Sequence, residues 1–354
     1  MKWIGLIVIL IVGAVWWVVA TNKPMGPVIL PAGSLDSESE KAMYVEEVAR
    51  GLSVPWAIVF TDSNRMLVTE RPGKITEIVN GQVNKAPLLT FPEVVEKSED
   101  GLMGLTKDDK YLYACVAYQK GSGLVNKIVR LTDLKTKIEV DKVILDDLPS
   151  AANHAGCRIK FGPDGKLYIT VGDAQKKELA QDKSSYAGKI LRVNSDGSDL
   201  EIYSLGHRNP QGIDWNPETG DLWVTEHGPS GFDGPGGGDE INIIRQGGNY
   251  GWPKVSHTTD KKAGFESPIA VFTPAVAPAA GAFWNGEFYF AGLRGEGIWK
   301  VNPDGSSEKL ANINYGRIRE LIVGPDDALY FSTSNTDGRG KIKEGDDKIY
   351  RLTW

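Results

Sequence analysis

Polar residues capable of chemistry are concentrated in a few loops of this 354-residue chain. Three of its four histidines, His154, His207 and His227, belong to these loops. A loop histidine more often has a structural hydrogen-bonding role than a catalytic one, although a neutral imidazole also suits a general base near neutral pH. His154 and Cys157 alone do not make a zinc site, because a structural zinc ion needs four ligands.

Charged pairs in other loops suggest ion binding. Arg317 and Arg319 alternate along a predicted strand, so both side chains point to one face. On the surface such a pair would mean little, whereas in a channel it would bind an anion with several carboxylates or phosphates. Asp239 and Glu240 follow a glycine-rich stretch, and carboxylates suit a hard cation such as calcium. An isolated Asp-Glu pair is, however, more often a solvated turn.

The elements that must position these loops repeat along the chain. Six segments share a turn rich in Asp, Asn and Gly followed by an apolar and aromatic run, and they lie 41 to 66 residues apart. The aligned residues of these runs are Leu67, Leu112, Leu167, Leu222, Phe288 and Leu329. Such a period is typical of propeller blades. The sequence therefore predicts an all-β protein, a six-bladed β-propeller over residues 42–354, in which strands near Tyr44–Ala49 and Ile349–Thr353 share a blade and close the ring.

Composition narrows the class of protein. The chain is 41% hydrophobic and 24% charged, which excludes disorder, collagen and coiled coil as the main architecture. A net charge of −6 without a basic block argues against a nucleic-acid partner. Cys115 and Cys157 can form at most one disulfide, and two buried free thiols are the commoner arrangement and the one we expect.

The N-terminus is a separate element. Residues 3–20 carry no charge and as a helix would be about 27 Å long, just enough to cross the hydrocarbon core of a bilayer. We predict a membrane anchor at 1–20, with a cleaved signal peptide as the alternative. Residues 21–41, rich in Pro, Gly, Ser and acidic residues, are interpreted as a linker. Both interpretations place the propeller outside the cytoplasm, in the periplasm or at the cell surface.

A combination of sequence blocks extends from about Leu52 to Tyr350. The blocks are Thr69-Glu70-Arg71, Gly101–Leu105, His154 with Gly162–Gly165, Gly172-Asp173, Gly188–Arg192, Arg208–Gly212, Glu226–Pro229 and Asp239–Asn242. With them the chain resembles the PQQ-dependent soluble aldose sugar dehydrogenases, the glucose/sorbosone dehydrogenase family. The resemblance implies a six-bladed propeller that binds pyrroloquinoline quinone (PQQ) and calcium and oxidises aldose sugars at C1 to lactones.

The resemblance also implies roles for individual residues. His154 would be the general base for the C1 hydroxyl, Asp173 would orient it, and Arg208 would stabilise negative charge on the quinone oxygen. The residues implied in binding the cofactor are Glu99, Arg208, Asn209, Arg294, Arg317 and Arg319. The carbonyl groups of Gly228 and Pro229 would hold a calcium ion beside the quinone. A second, structural calcium would use Glu240 and Tyr250, with Asp260 and Glu266 added by spacing.

The chain departs from the family pattern at several positions. Glu99 stands where some members have Gln, and Arg294 where some have Lys. The stretch Phe272–Pro278 lacks the Trp and hydroxyl residues of the well-known glucose enzymes, which leaves the preferred sugar open. The insertion Phe232–Gly237 lies beside the predicted calcium and would reshape the mouth of the channel.

Three functions are compatible with these patterns. The first is a PQQ- and calcium-dependent sugar dehydrogenase that passes electrons to an acceptor outside the cytoplasm. The second is a calcium-dependent hydrolase of the lactonase type, which needs several Asp, Asn and Glu ligands in the channel and leaves the arginines unexplained. The third is a non-catalytic binding propeller at the cell surface. The loop blocks favour the first.

Overall fold

The computed structural model describes residues 43–354. The predicted membrane or signal segment, 1–20, and the linker, 21–41, lie outside the described residues. From residue 43 onward, no helix has the length and apolar character that crossing a membrane would need. Helical structure in this part of the chain is confined to a single 3₁₀ turn, Lys177–Gln181.

The described residues form twenty-five β-strands in six antiparallel sheets, one for each blade. Strand β1 (Tyr44–Arg50) belongs to the last blade. Blade 1 has β2 (Pro55–Asp62), β3 (Arg65–Glu70), β4 (Lys74–Val79), β5 (Gln82–Val83) and β6 (Leu89–Thr90), and blade 2 has β7 (Leu102–Lys107), β8 (Leu112–Lys120), β9 (Gly123–Asp133) and β10 (Ile138–Pro149). Blade 3 has β11 (Gly156–Phe161), β12 (Leu167–Val171), β13 (Lys189–Val193) and β14 (Glu201–Leu205), and blade 4 has β15 (Pro210–Trp215), β16 (Leu222–Glu226), β17 (Asp239–Ile244) and β18 (Ala270–Phe272). Blade 5 has β19 (Pro278–Trp284), β20 (Glu287–Gly292), β21 (Gly297–Val301) and β22 (Ser307–Lys309), and blade 6 has β23 (Ile318–Val323), β24 (Leu329–Thr333), β25 (Lys348–Thr353) and β1.

The repeated apolar runs are the second strands of the blades. The six aligned Leu and Phe residues are all buried in these strands, where they pack between neighbouring sheets. The preceding turns use their polar residues to fix the hairpin. In blade 3, for example, the Asp164 side chain accepts a hydrogen bond from the Lys166 amide at 3.1 Å, and Gly165 has a φ of 74°, which favours glycine.

The ring is closed as the sequence predicted. Strand β1 pairs with β25 in a ladder that runs from Tyr44 opposite Thr353 to Arg50 opposite Lys348. The innermost strands β2, β7, β11, β15, β19 and β23 contact one another in that order, and β23 contacts β2. The six-bladed propeller is therefore confirmed. Because each innermost strand is antiparallel to the second strand of its blade, the starts of the former and the ends of the latter lie at the same end of the channel.

Charged side chains of opposite blades meet inside the ring. Arg158 of blade 3 forms an ion pair with Glu320 of blade 6, with 2.5 Å between Nη1 and Oε2. The same guanidinium lies 4.0 Å from the ring centre of Trp56 in blade 1. All three side chains are buried, so this level of the channel is filled by a charged pair resting on an indole.

Cys115 of β8 and Cys157 of β11 form a disulfide. The expectation of two free thiols is therefore wrong, because the packing of blade 2 against blade 3 brings the two Cα atoms within 6.0 Å. That separation is common for disulfides. The cross-link joins two blades through a residue three positions after His154.

Removing this cross-link should lower stability substantially. The cysteines are 42 residues apart, and closing a loop of that length is worth about 4 kcal/mol in the chain-entropy account of disulfides. We expect Cys115→Ala/Cys157→Ala to lose about that much free energy of unfolding in a denaturant titration. A reducing agent should destabilise the wild type and leave the double variant unchanged. Equal midpoints for the two proteins in non-reducing buffer would contradict the assignment.

Candidate active site

A cavity of about 720 Å³ lies at the end of the channel where the innermost strands begin. Its walls come from segments just before those strands and just after the second strands. This follows from the antiparallel order of each blade, which brings the two kinds of segment to one end. Nine of the residues predicted from the sequence line it: Glu99, His154, Asp173, Arg208, Asn209, Gly228, Pro229, Arg294 and Arg317.

The His154 imidazole has a hydrogen-bond partner on each nitrogen. Its Nδ1 lies 2.7 Å from Oδ1 of Asp173, and its Nε2 lies 2.7 Å from Nη2 of Arg208. Arginine can only donate, so Nε2 must accept and the proton of a neutral ring must sit on Nδ1. The nitrogen at the cavity is therefore unprotonated, which is the form a general base requires.

Asp173 is held rigidly behind the imidazole. Its Oδ1 also accepts the Gln175 amide at 2.8 Å, and its Oδ2 accepts the indole N–H of Trp252 at 2.8 Å. The backbone around His154 is also closely packed. His154 has a φ of 61°, and a Cβ on Gly172 would come within 1.8 Å of the His154 carbonyl oxygen. Only glycine fits at 172, which explains the Gly-Asp pair in the sequence.

The Arg208 guanidinium connects the base to the insertion predicted from the sequence. Its Nε donates to Oδ2 of Asp233 at 2.7 Å, and its Nη1 donates to the His227 carbonyl at 3.2 Å. The guanidinium carbon lies 5.6 Å from the ring centre of Trp252. Arg208 is almost fully buried, so its charge is held in place at the edge of the cavity by a carboxylate and a stacked indole.

Glu99 and Asn209 form the wall beside the base. Asn209 Oδ1 accepts the Gly156 amide at 3.1 Å, while its Nδ2 donates to Glu99 at 3.4 Å. Burial works to raise the pKa of the Glu99 carboxyl, but interactions with His227 and with Arg339, which donates to Oε1 at 2.7 Å, lower it to about 2. Glu99 is therefore ionised at neutral pH and balances part of the positive charge of the cavity.

The three other predicted arginines occupy different depths. Arg294 is exposed at the rim of the cavity. Arg317 is buried in its wall and donates to Asp337 through Nε and Nη2, at 2.9 and 2.7 Å. Arg319 does not line the cavity; it lies deeper, where Nη1 donates to Gln211 at 3.3 Å and Nε has no partner among residues 43–354. Burial lowers the pKa of Arg319 to about 9.

Of the predicted calcium ligands, Gly228 and Pro229 line the main cavity, and Glu240 and Tyr250 line a second one. The second cavity holds about 10 Å³, the size of a single water or ion. Burial raises the pKa of the Glu240 carboxyl to about 8, with the neighbouring Glu226 adding to the effect. Glu226 is already paired with His207 at 2.9 Å, whereas Glu240 has no ion-pair partner among residues 43–354, so its carboxylate suits a hard cation.

Asp260 and Glu266 do not reach that cavity. Asp260 is largely exposed and faces Lys262 at 3.9 Å. The Tyr250 hydroxyl is also committed, since it donates to the Ile243 carbonyl at 2.7 Å and accepts the Arg245 amide at 2.8 Å. Between residues 43 and 354, no three His, Cys, Asp or Glu side chains converge as a metal site. A cation at Glu240 would therefore depend on backbone carbonyls and water.

Several residues of the site were not predicted from the sequence. They are Asp233 on Arg208, Arg339 on Glu99, Asp337 on Arg317, Trp252 on Asp173, and His227, whose buried Nε2 has no partner in the described part of the chain. His227 belongs to the block Glu226–Pro229 and Asp233 to the insertion Phe232–Gly237, which was the available signal. Nothing in the sequence shows which arginine or carboxylate Asp233, Asp337 and Arg339 each face.

Residues 52–344 match the family of Glucose / Sorbosone dehydrogenases, so the chain belongs to this family of oxidoreductases that act on sugars. The match confirms the resemblance inferred from the loop blocks. Among individual relatives, the aldose sugar dehydrogenase YliI of Escherichia coli is 29% identical over 342 residues. The alignment covers 83% of this chain and 91% of that protein.

Solved structures agree with this assignment. An oxidoreductase of Thermus thermophilus described as a glucose dehydrogenase is 41% identical, with a TM-score of 0.82, and the match covers 88% of this chain and all of the other. The PQQ-bound aldose sugar dehydrogenase of Streptomyces coelicolor is 32% identical, with a TM-score of 0.77 and coverage of 88% and 98%.

The tautomer of His154 should depend on Asp173. In Asp173→Asn the amide can accept on one side only, so it cannot serve both the imidazole and Trp252. We expect the variant to lose the Nδ1-protonated tautomer in ¹⁵N NMR of the imidazole and about 1 to 3 kcal/mol of unfolding free energy. Asp304→Asn, in an exposed turn where Asp304 accepts the Ser306 amide, should change neither. An unchanged tautomer in Asp173→Asn would refute the orienting role.

Proposed function

We propose that the protein oxidises aldose sugars at C1 to lactones, with PQQ and calcium as cofactors, and passes the electrons to an extracytoplasmic acceptor. The observation that carries the proposal is the chain of contacts from Asp173 through His154 to Arg208 at the wall of the cavity. It presents an unprotonated nitrogen and a fixed positive charge to the same space. Oxidation of an alcohol needs both, one to take a proton and one to stabilise negative charge.

The reaction separates a proton from a hydride. A sugar whose C1 hydroxyl replaced Arg208 as the partner of His154 Nε2 would give that proton to the imidazole, and Asp173 would stabilise the imidazolium formed. The C1 hydrogen would leave with its electron pair, and the C1–O bond would become the lactone carbonyl. PQQ, when bound, supplies the two-electron acceptor, and calcium beside it supplies a Lewis acid.

The cavity fits an anion with several carboxylates. Arg208, Arg317 and Arg294 line it, and Arg319 adds a buried positive charge beneath. Arg208 already pairs with the carboxylate of Asp233, and Arg317 with that of Asp337. Asn209 and Glu99 would complete the cofactor wall. PQQ carries three carboxylates, so a group of arginines at different depths suits it.

Calcium would be held by backbone oxygens of Gly228 and Pro229 in the main cavity and by Glu240 with the backbone carbonyl of Tyr250 in the second. Gly228 is fixed for this role, because its amide donates to Asp239 at 2.8 Å and a Cβ there would come within 2.3 Å of the Gly237 carbonyl oxygen. These contacts hold the turn at Gly228 in place in the structure.

An extracytoplasmic location is supported by the disulfide between blades 2 and 3. Disulfides persist in oxidising compartments and are rare in the cytosol. The uncharged N-terminal segment would export the protein or anchor it to the membrane, where it would meet its electron acceptor.

The proposal is tested on the full-length protein. PQQ uptake would be titrated by absorbance with calcium present, and a panel of aldoses would be offered with a redox dye. Stoichiometric uptake with sugar-dependent dye reduction is the expected result. A folded protein that takes up no PQQ would refute the cofactor assignment and favour a binding propeller.

His154→Ala should remove the base and keep the cofactor site. We expect turnover to fall about 100-fold or more, while the PQQ titration stays unchanged. His257→Ala is the matched control, because that ring does not line the cavity. If His154→Ala lost PQQ instead and kept its turnover per bound cofactor, His154 would be a cofactor ligand.

Arg294→Ala should weaken PQQ binding by about tenfold, the usual value of one charge-assisted hydrogen bond. Arg294 is exposed, so folding should not change. Arg245→Ala offers a control, since Arg245 is also exposed and pairs with Asp221 on the outside of blade 4. Identical PQQ titrations for Arg294→Ala and wild type would exclude Arg294 as a carboxylate ligand.

A further inference from the structure

The insertion in the loop after β16 forms part of the cavity wall. Ser230, Phe232 and Asp233 all line the cavity. The loop is closed at its base, where the Gly237 amide donates to the Pro229 carbonyl at 3.1 Å. Its tip is fixed by Asp233, which accepts from Arg208 at 2.7 Å and from the Ser230 amide at 3.1 Å.

Phe232 lies between Ser230 and Asp233, which are joined by a hydrogen bond, and its side chain is fully exposed. The exposure therefore does not come from a loose loop end. Asp233 is held by Arg208, while the adjacent Phe232 side chain lines the cavity and belongs to none of the buried apolar clusters of the described residues. Covering an exposed benzyl group with the apolar face of a ligand stabilises the complex, because apolar surface is removed from water.

Among the described residues that line this cavity, Phe232 is the only Phe, Tyr or Trp. The remaining apolar lining comes from small or aliphatic side chains, such as Ala275, Ala277 and Leu293, and most other lining groups are charged or amide. The segment Phe272–Pro278, which is hydrogen-bonded to the end of the insertion through Gly238 and Thr273, brings no aromatic side chain to the cavity. Any stacking surface that residues 43–354 offer a ligand here must therefore come from the insertion.

We infer that Phe232 determines sugar specificity by stacking against the C–H face of a pyranose whose C1 lies at His154. The inference rests on the proposed function and adds the residue that selects among its sugars. Asp233 links the Phe232 side chain to the base, because Asp233 accepts a hydrogen bond from Arg208 and Arg208 donates one to His154. β-D-glucopyranose suits the site, because its C1, C3 and C5 hydrogens share one face.

The test compares full-length wild type, Phe232→Ala and Phe232→Trp, with Tyr44→Ala as a matched exposed aromatic on β1. Phe232→Ala should raise the KM for glucose about tenfold, leave kcat within twofold, and leave the PQQ titration unchanged. Phe232→Trp should restore a low KM for glucose, and Tyr44→Ala should behave as wild type. A changed KM for the dye, or a changed PQQ titration, without a changed KM for glucose would overturn the inference.

A second readout does not depend on turnover. 1,5-Anhydro-D-glucitol keeps the ring and its C–H face but lacks the C1 hydroxyl, so it binds without being oxidised. Calorimetry should show about tenfold weaker binding to Phe232→Ala than to wild type. Failure of PQQ uptake by the wild type would refute the proposed function, while this comparison would still test Phe232. Equal binding to both proteins, or none to the wild type, would overturn the inference.

Discussion

The antiparallel ladder between β1 and β25 is the constraint on which the rest of the structure depends. It joins the two ends of the described chain in one sheet and so turns six separate blades into a ring. Only in a closed ring do all six innermost strands begin at the same end of one channel. His154, Arg208 and Arg317 lie far apart in sequence, and each precedes or begins an innermost strand. The site is therefore a product of closure, and no single blade contains it.

Charge within the ring is balanced by local pairing. Arg208 is matched by Asp233, Arg317 by Asp337, and Glu99 by Arg339. Such pairing limits the desolvation cost of a cavity rich in buried charge. The less compensated groups are Arg319, with one nitrogen unpartnered within the described chain, and Glu240, whose carboxyl has a raised pKa. Glu240 borders a small cavity, whereas Arg319 is enclosed beneath the main one.

The sequence was sufficient for the fold and for nine of the residues that line the cavity. The six turn-and-strand repeats predict the blades because each second strand must bury its aligned Leu or Phe, and blocks such as Gly172-Asp173 identify the base loop. Contacts across the ring could not be predicted. The partner of Cys157, the depth of Arg319 and the attachment of Asp233 to Arg208 depend on how blades pack and loops fold over the channel, for which local patterns carry no signal.

The buried ion pair of Arg158 and Glu320, which packs on Trp56, affects how ligands can enter and leave the channel. It crosses the ring between blades 3 and 6, and the cavity lies at the end where the innermost strands begin, which is the doorway to the site. In the proposed reaction, sugar, lactone and electron acceptor would have to use that doorway in turn. The kinetics would then be of the ping-pong type, in which the lactone departs before the oxidant arrives, and a bulky oxidant would reach the site only after the sugar had left.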